Sequence, residues 1–81
     1  MMPKVTLYTR AGCHLCDDAK HVLLAARGRA EFDYQEVDID SDQELARRYS
    51  EEVPVIAIDG VKAFKYRLDM KEFLKKLAAR A

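Results

Sequence analysis

Both cysteines of the chain lie in one short segment, AGCHLCDD, as Cys13 and Cys16. Two residues separate them, and one of the two is a histidine, His14. A pair at this spacing can close a structural disulfide, supply two of the ligands of a metal ion, or act as a dithiol that exchanges with other disulfides. The remaining ligands and the element that carries the pair decide between these chemistries.

The first two chemistries have little support in the sequence. A Cys13–Cys16 bridge closes a very short loop, which restricts the unfolded chain by only about 2 kcal/mol. A structural zinc ion needs four ligands, and the only histidines are His14 and His21. His14 lies inside the pair, and His21 lies more than one helical turn beyond Cys16. A metal- or iron–sulfur-binding module is kept as the alternative hypothesis, and an adaptor domain with incidental cysteines as a third.

The elements around the pair favour the dithiol. Residues 4–9, KVTLYT, alternate as a short strand does, and residues 13–27 carry apolar side chains at the three- and four-residue steps of a helix. Free amides at a helix amino terminus stabilise an anion, so Cys13 is expected to be the better thiolate. Cys16 follows one turn later, within reach of a disulfide.

The rest of the chain continues the alternation of strands and helices. Strands are predicted at residues 32–39, 53–58 and 61–66, with a hairpin at Asp59-Gly60 between the last two. Ser41 and Glu44 have the spacing of a capping box ahead of a short helix, and Asp69 is placed to cap the last helix. The order β-α-β-α-β-β-α predicts one α/β domain over residues 1–81, a mixed four-stranded sheet with flanking helices.

The charge and hydropathy of the sequence limit which partners and which cellular location we expect. Fourteen basic and fourteen acidic side chains cancel, so no general attraction to nucleic acid is expected. The longest apolar run of the first helix is far shorter than the roughly 20 residues that span a bilayer, and the amino terminus lacks a signal-peptide core. The expected location is the cytoplasm, where a lone cysteine pair is more often catalytic than structural. A monomer without membrane contact is expected.

The segment YTRAGCHLC after a first strand, Val53-Pro54 about forty residues later, and the strand-turn-strand-helix ending resemble the glutaredoxin branch of the thioredoxin-fold proteins. The resemblance covers nearly the whole chain. It implies a thiol–disulfide oxidoreductase in which Cys13 is the nucleophile and Cys16 resolves the mixed disulfide. It also implies a cis peptide bond before Pro54, which would face the dithiol and let the backbone of Val53 pair with substrate.

Three neighbours of the dithiol are predicted to contact substrate. His14 occupies the variable position in which the family tunes its chemistry, and a protonated imidazole there would stabilise the thiolate. Leu15 is expected to shield the site and offer an apolar contact. Arg10 stands where glutaredoxins usually place a lysine that helps to hold glutathione and the thiolate.

The glutathione site of the family is incomplete in this sequence. Glu52 replaces the threonine-like residue before Val53, and no glycine pair with a following acid appears after the hairpin. Phe64 and Tyr66 are expected to fill that groove, and Arg67 stands where an acid is expected. We therefore expect glutathione to be a poor ligand and no cofactor or metal to be bound. The expected partners are a disulfide-bearing protein or low-molecular-weight thiol, and a reductase or dithiol protein as reductant.

Overall fold

The computed structural model describes residues 2–80 of the chain. Its elements follow the predicted order, with a 3₁₀ turn at Ile39–Ser41 after the second strand. They are β1 (Lys4–Thr9), α1 (His14–Ala26), β2 (Asp33–Asp38), α2 (Gln43–Tyr49), β3 (Val55–Ile58), β4 (Val61–Lys65) and α3 (Met70–Arg80).

The four strands form one mixed sheet in the order β2-β1-β3-β4. β1 is parallel to β2 and antiparallel to β3, and β3 is antiparallel to β4. The α/β class and the mixed sheet predicted from the sequence are thereby confirmed. In the parallel pair Thr9 lies opposite Asp38, so the segments that follow β1 and β2 leave the sheet at the same edge.

The two faces of the sheet carry different clusters of buried side chains. One cluster joins Leu7 of β1 to Leu23 of α1 and Phe73 of α3, all fully buried. The other contains Cys16, Ile39 and Val53, with Tyr8 and the α2 residues Leu45 and Tyr49 packed against it. Successive residues of a strand point to opposite faces, which places Leu7 and Tyr8 in different clusters. The dithiol therefore borders the face that α2 covers.

Aspartate side chains cap the amino termini of the last two helices. The amino terminus of α2 is capped by Asp42, whose Oδ1 accepts from the amide of Glu44 at 2.8 Å. The predicted capping box with Ser41 is wrong, because Ser41 belongs to the 3₁₀ turn and its hydroxyl donates to the carbonyl of Asp38. The cap of α3 is confirmed, since Asp69 Oδ2 accepts from the amide of Glu72 at 2.9 Å.

The hairpin between β3 and β4 is the one predicted from Asp59-Gly60. Both residues have positive φ, 51° and 84°, as the central pair of a type I′ turn requires. β3 begins at Val55, two residues later than predicted, because the Val53–Pro54 segment precedes the strand pairing. Within residues 2–80, no helix has the length and apolar character needed to cross a membrane.

Candidate active site

Cys13 lies at the junction between β1 and α1, as the N-cap residue of the helix. Its backbone is extended (φ −97°, ψ 108°), and its Sγ accepts a hydrogen bond from the amide of Cys16 at 3.1 Å. Gly12 precedes it with φ +77°, a left-handed conformation that reverses the chain at the end of the loop. The predicted position of Cys13 at a helix amino terminus is therefore confirmed.

Cys13 and Cys16 are joined as a disulfide, with their Cα atoms 5.2 Å apart. This separation lies within the usual range for disulfides, so the bond fits a helical first turn. The two sulfur-bearing residues differ in exposure, because Cys13 is half-buried and Cys16 is only 2% exposed. An incoming molecule would meet Cys13 first.

The Val53–Pro54 peptide bond is cis, as the resemblance implied. Val53 packs in the same cluster as Cys16 and Cys13, so the loop before β3 lies beside the dithiol. The Pro54 carbonyl accepts from the amide of Tyr66 at 2.8 Å, which ties this loop to the end of β4. The structure brings Val53 together with both cysteines, and Pro54 follows it directly in the chain.

Glu52, the residue before Val53, also anchors this loop to β4. Its Oε1 lies 3.3 Å from the Nζ of Lys62 and 3.6 Å from that of Lys65. The hydrogen bond from Lys62 is the main cause that lowers the pKa of the Glu52 carboxyl. Where the family has a threonine-like residue, this chain therefore has a carboxylate engaged with two lysines.

His14 and Leu15 occupy the exposed first turn of α1. Leu15 is 38% exposed and borders a cavity of about 280 Å³ between α1 and the segment that joins β4 to α3. The other lining residues are Asp18, Ala19, Tyr66, Arg67, Leu68 and Asp69. Leu15 joins this cavity to the CxxC segment along the chain, and the substrate contact predicted for Leu15 stays a prediction.

Phe64 and Tyr66 have different positions relative to this cavity. Tyr66 lines it, with its backbone at φ +70°, while Phe64 packs against Phe73 of α3 at a ring separation of 6.4 Å. The partly buried side chain of Phe64 packs against the core that includes Phe73 and does not line this cavity. The predicted obstruction then rests on Tyr66 and Arg67.

Arg10 is held by an acid and a carbonyl that are not apparent from the sequence. Its Nε and Nη2 donate to the two carboxylate oxygens of Asp40 at 3.0 and 2.9 Å, and its Nη1 donates to the Ser50 carbonyl at 3.2 Å. The hydrogen bond from Arg10 is the largest cause that lowers the pKa of the Asp40 carboxyl. The parallel pairing of β1 and β2 brings the residues after Thr9 and Asp38 to one edge and so points toward Asp40, whereas nothing comparable in the sequence points to the Ser50 carbonyl.

A pair of tyrosines packs on the α2 side of the dithiol. The rings of Tyr8 and Tyr49 lie 4.6 Å apart at 33°, in the cluster that includes Cys13 and Cys16. Burial, followed by the proximity of Tyr49, raises the pKa of the Tyr8 phenol. Tyr8 therefore packs between β1 and α2, against the cluster that contains Cys16.

The grouping of potential metal ligands bears on the alternative hypothesis of a metal-binding module. Across residues 2–80, no three or more His, Cys, Asp or Glu side chains are grouped so that they could hold a metal ion. The two sulfurs are bonded to each other, which is the arrangement of an oxidised dithiol.

Comparison with solved structures supports the same fold. The chain superposes on the X-ray structure of protein XcR50 from X. campestris with a TM-score of 0.76 and 35% identity, covering 93% of this chain and 96% of that one. It also superposes on a thioredoxin from Fasciola hepatica with a TM-score of 0.64 and 21% identity, over 99% and 82% of the two chains. The fold is therefore thioredoxin-like.

Sequence comparison gives the family. The chain is 32% identical over 71 residues to the glutaredoxin-like protein YDR286C homolog of Dictyostelium discoideum, which covers 80% of this chain. The match takes in 66% of that relative, so the chain spans a little less than two thirds of its length. The family model described as Glutaredoxin-like domain (DUF836) matches residues 4–78. With a cysteine pair at disulfide distance on the first turn of α1, this chain belongs to the glutaredoxin-like domain family.

Proposed function

We propose that the protein is a thiol–disulfide oxidoreductase that uses Cys13 and Cys16 as a two-electron couple. In the reduced protein, the Cys13 thiolate attacks a substrate disulfide, forms a mixed disulfide and releases the first substrate thiolate. The Cys16 thiolate then attacks Cys13 Sγ, releases the second substrate thiolate and closes the Cys13–Cys16 bond. The substrate gains two electrons, and a separate dithiol or reductase returns the protein to its reduced form.

The hydrogen bond from the Cys16 amide to Cys13 Sγ, at the start of α1, carries this proposal. An amide that donates to a sulfur favours the thiolate over the thiol, and the positive end of the helix dipole adds to the effect. A thiolate at neutral pH is what nucleophilic attack requires. The half-exposed Cys13 and the buried Cys16 further suit the roles of attacking and resolving sulfur.

The surroundings support a disulfide inside a polypeptide or a small organic disulfide as substrate. The cis Val53–Pro54 loop packs beside the pair, and Leu15 offers an exposed apolar side chain next to the cavity at Tyr66. We include His14 and Arg10 among the residues bordering the site. Glutathione is proposed to be a poor ligand, because Tyr66 and Arg67 line the cavity where the family has a glycine pair and an acid.

The proposed setting is a reducing compartment, the cytoplasm, with the protein acting as a monomer and without a bound cofactor. A lone CxxC pair is more often catalytic than structural in such a compartment. The physiological reductant is proposed to be a thioredoxin reductase or another dithiol protein. Nucleic acid and membrane are not proposed as partners.

Turnover of a neutral disulfide, bis(2-hydroxyethyl) disulfide, with a dithiol reductant tests the activity directly. Cys13→Ser should abolish turnover, whereas Cys16→Ser should accumulate a mixed disulfide on Cys13 that mass spectrometry detects. Wild-type protein that shows no turnover, or that is purified with stoichiometric zinc or iron on the two sulfurs, would contradict the proposal. The metal result would support the alternative module instead.

The Cys16→Ser variant also identifies the substrate class. Incubated with a cell extract, it should retain proteins through a disulfide to Cys13 that a reducing agent releases. Cys13→Ser, Cys16→Ser protein is the matched control, because any protein that it retains is not bound through the dithiol. A specific set captured only by the single variant would support protein disulfides as substrates.

A further inference from the structure

Three nitrogen donors of Arg10 connect the loop before Cys13 to the segments that follow β2 and α2. Nε and Nη2 form a bidentate pair with Asp40, and Nη1 reaches the Ser50 carbonyl. Bidentate pairs between arginine and carboxylate are among the stronger and more directional side-chain interactions. The guanidinium is thus oriented toward the segments that follow β2 and α2.

The position of this group relative to the dithiol follows from the chain path. Arg10 lies in the loop between β1 and α1, three residues before Cys13, and Ser50 lies three residues before Val53. Val53 in turn packs in the cluster that contains both cysteines. Arg10 and Asp40 therefore lie beside the two loops that carry the sulfurs and the cis proline.

The charge of Arg10 is compensated where it lies. Asp40 is its direct partner, and the carboxylates of Glu51 and Asp38 also act on it electrostatically. On the helix that carries the dithiol, the first turns add Asp17 and Asp18. An anion that approaches Cys13 from this side therefore meets a cation already neutralised by its neighbours.

We propose that Asp40 is a specificity-determining residue: by holding Arg10 in a bidentate pair against the Ser50 carbonyl, it prevents this cation from attracting anionic disulfides to Cys13. The inference rests on the proposed function and deepens it. The favoured substrate class is disulfides whose groups on the Arg10 side are neutral or cationic. Small anionic disulfides are disfavoured by the same pairing.

A purely structural role for the pair predicts a different pattern. If the Arg10–Asp40 bridge only fastened the loops, loss of either partner would loosen the same contact and change the site in the same direction. An electrostatic role predicts opposite effects, because Asp40→Asn leaves an uncompensated cation and Arg10→Gln leaves an uncompensated anion. The double variant would restore local neutrality.

Two alkylating reagents of similar shape, iodoacetate and iodoacetamide, measure this difference on reduced protein carrying Cys16→Ser. Both react with the same thiolate, so the ratio of their rates cancels changes in the thiol pKa and reports the field that an anion meets. We expect Asp40→Asn to raise the iodoacetate-to-iodoacetamide ratio about two- to fivefold at low salt. Arg10→Gln should lower it by a similar factor, and the double variant should return it near the starting value.

The matched control is Glu44→Gln, which breaks the exposed pair of Glu44 with Arg47 in α2. It should leave the ratio unchanged. Equal ratios in all variants, or shifts of the same sign in Asp40→Asn and Arg10→Gln, would overturn the proposal. If Asp40→Asn does not fold, comparison of Arg10→Gln with the double variant still separates the two roles. An electrostatic role predicts that the double variant restores the ratio lowered by Arg10→Gln, and a structural role predicts that it does not.

This measurement is independent of catalysis, because alkylation needs only a reactive Cys13. A protein that alkylates with the predicted ratios but reduces no disulfide would contradict the proposed function and leave the electrostatic role of Asp40 standing. A protein that reduces neutral disulfides but shows unchanged alkylation ratios in the variants would support the proposed function and contradict the electrostatic role of Asp40. Once turnover is established, Asp40→Asn should favour an anionic disulfide over a neutral one by the same factor, about two- to fivefold.

Discussion

The amide of Cys16 donates a hydrogen bond to the Sγ of Cys13 at 3.1 Å, so the resolving residue also contributes to the environment of the attacking one. The contact exists because Cys13 is the N-cap of α1 and its side chain accepts from the third residue of the helix. N-cap side chains normally supply oxygen in this role. Here sulfur does so, and the cap becomes the reactive group.

The first prediction concerns Gly12, which turns the chain into the N-cap at φ +77°. A Cβ at this position would meet no atom within 4 Å. Gly12→Ala should therefore destabilise the protein only because alanine disfavours the positive φ of this residue. We expect a loss of about 1 kcal/mol in the free energy of unfolding. We also expect slower alkylation of Cys13, because the cap geometry shifts.

Gly60 provides the matched control for this experiment. It also has positive φ, 84°, and a Cβ there would likewise meet no atom within 4 Å, but it lies in the hairpin between β3 and β4. Gly60→Ala should cost a similar free energy of unfolding, measured by urea denaturation, and leave Cys13 alkylation unchanged. Equal slowing of alkylation by both variants would mean that stability alone, not cap geometry, governs the thiol.

The second prediction concerns the cavity beside Leu15. Tyr66 lines it with φ +70°, a conformation that favours glycine, so Tyr66→Gly should open the cavity without straining the backbone. Combined with Arg67→Gly, which removes a cation from the same lining, it should raise the rate of reduction of a glutathione-mixed disulfide by about tenfold for each ~1.4 kcal/mol of obstruction that is relieved.

Phe64→Leu is the comparison for the cavity variants. Phe64 packs on Phe73 and does not line that cavity, so its replacement should lower stability and leave the glutathione rate unchanged. An increase in rate with Phe64→Leu, or none with the double glycine variant, would show that something other than Tyr66 and Arg67 blocks glutathione.

The third prediction concerns Ser50, where α2 ends. Its backbone has φ 39° and ψ −109°, a region that side-chain-bearing residues rarely adopt. Ser50→Gly should raise the free energy of unfolding by about 1 kcal/mol, because the strain that glycine relieves exceeds the entropy it adds to the unfolded chain. Thermal unfolding checks the value. Ser50→Ala, which keeps a Cβ, should bring no gain, and an equal gain from alanine would contradict the backbone explanation.

The fourth prediction is a pH dependence of stability. Pairing with Arg10 lowers the pKa of the Asp40 carboxyl below its ordinary value of 3.8. A group whose folded pKa is depressed stabilises the protein above its unfolded pKa, and that contribution is lost as the pH falls through the folded value. The Tm of the wild type should therefore fall more steeply than that of Asp40→Asn as the pH drops below about 4. Parallel Tm profiles would contradict the assignment.

The fold was largely predictable from local patterns. β1 carries a β-branched and aromatic alternation and was predicted to the residue, and α1 was predicted within one residue at each end. The Asp59-Gly60 turn was recognised because its dipeptide specifies positive φ twice. Ser41 was misplaced because a 3₁₀ turn, which has no strong sequence signal, moved the start of α2 by one residue.

The site was predictable only in part, for a physical reason. The positions of Cys13 and Cys16 follow from a strand-to-helix junction that is local in sequence. The Arg10–Asp40 pair joins residues thirty positions apart, and the Ser50 contact spans forty. The parallel register of β1 and β2 brings Arg10 and Asp40 together, and composition or periodicity does not specify a register.

The measurement that tests the central claim most directly is the pKa of the Cys13 thiol in the reduced protein. Ultraviolet absorbance of the thiolate, followed against pH in Cys16→Ser, isolates this one group, and Cys13→Ser gives the corresponding curve for Cys16. The proposed mechanism predicts a Cys13 pKa below about 7.5, with the buried Cys16 titrating at higher pH. A Cys13 pKa near about 8.5, the value of a free cysteine, would contradict it.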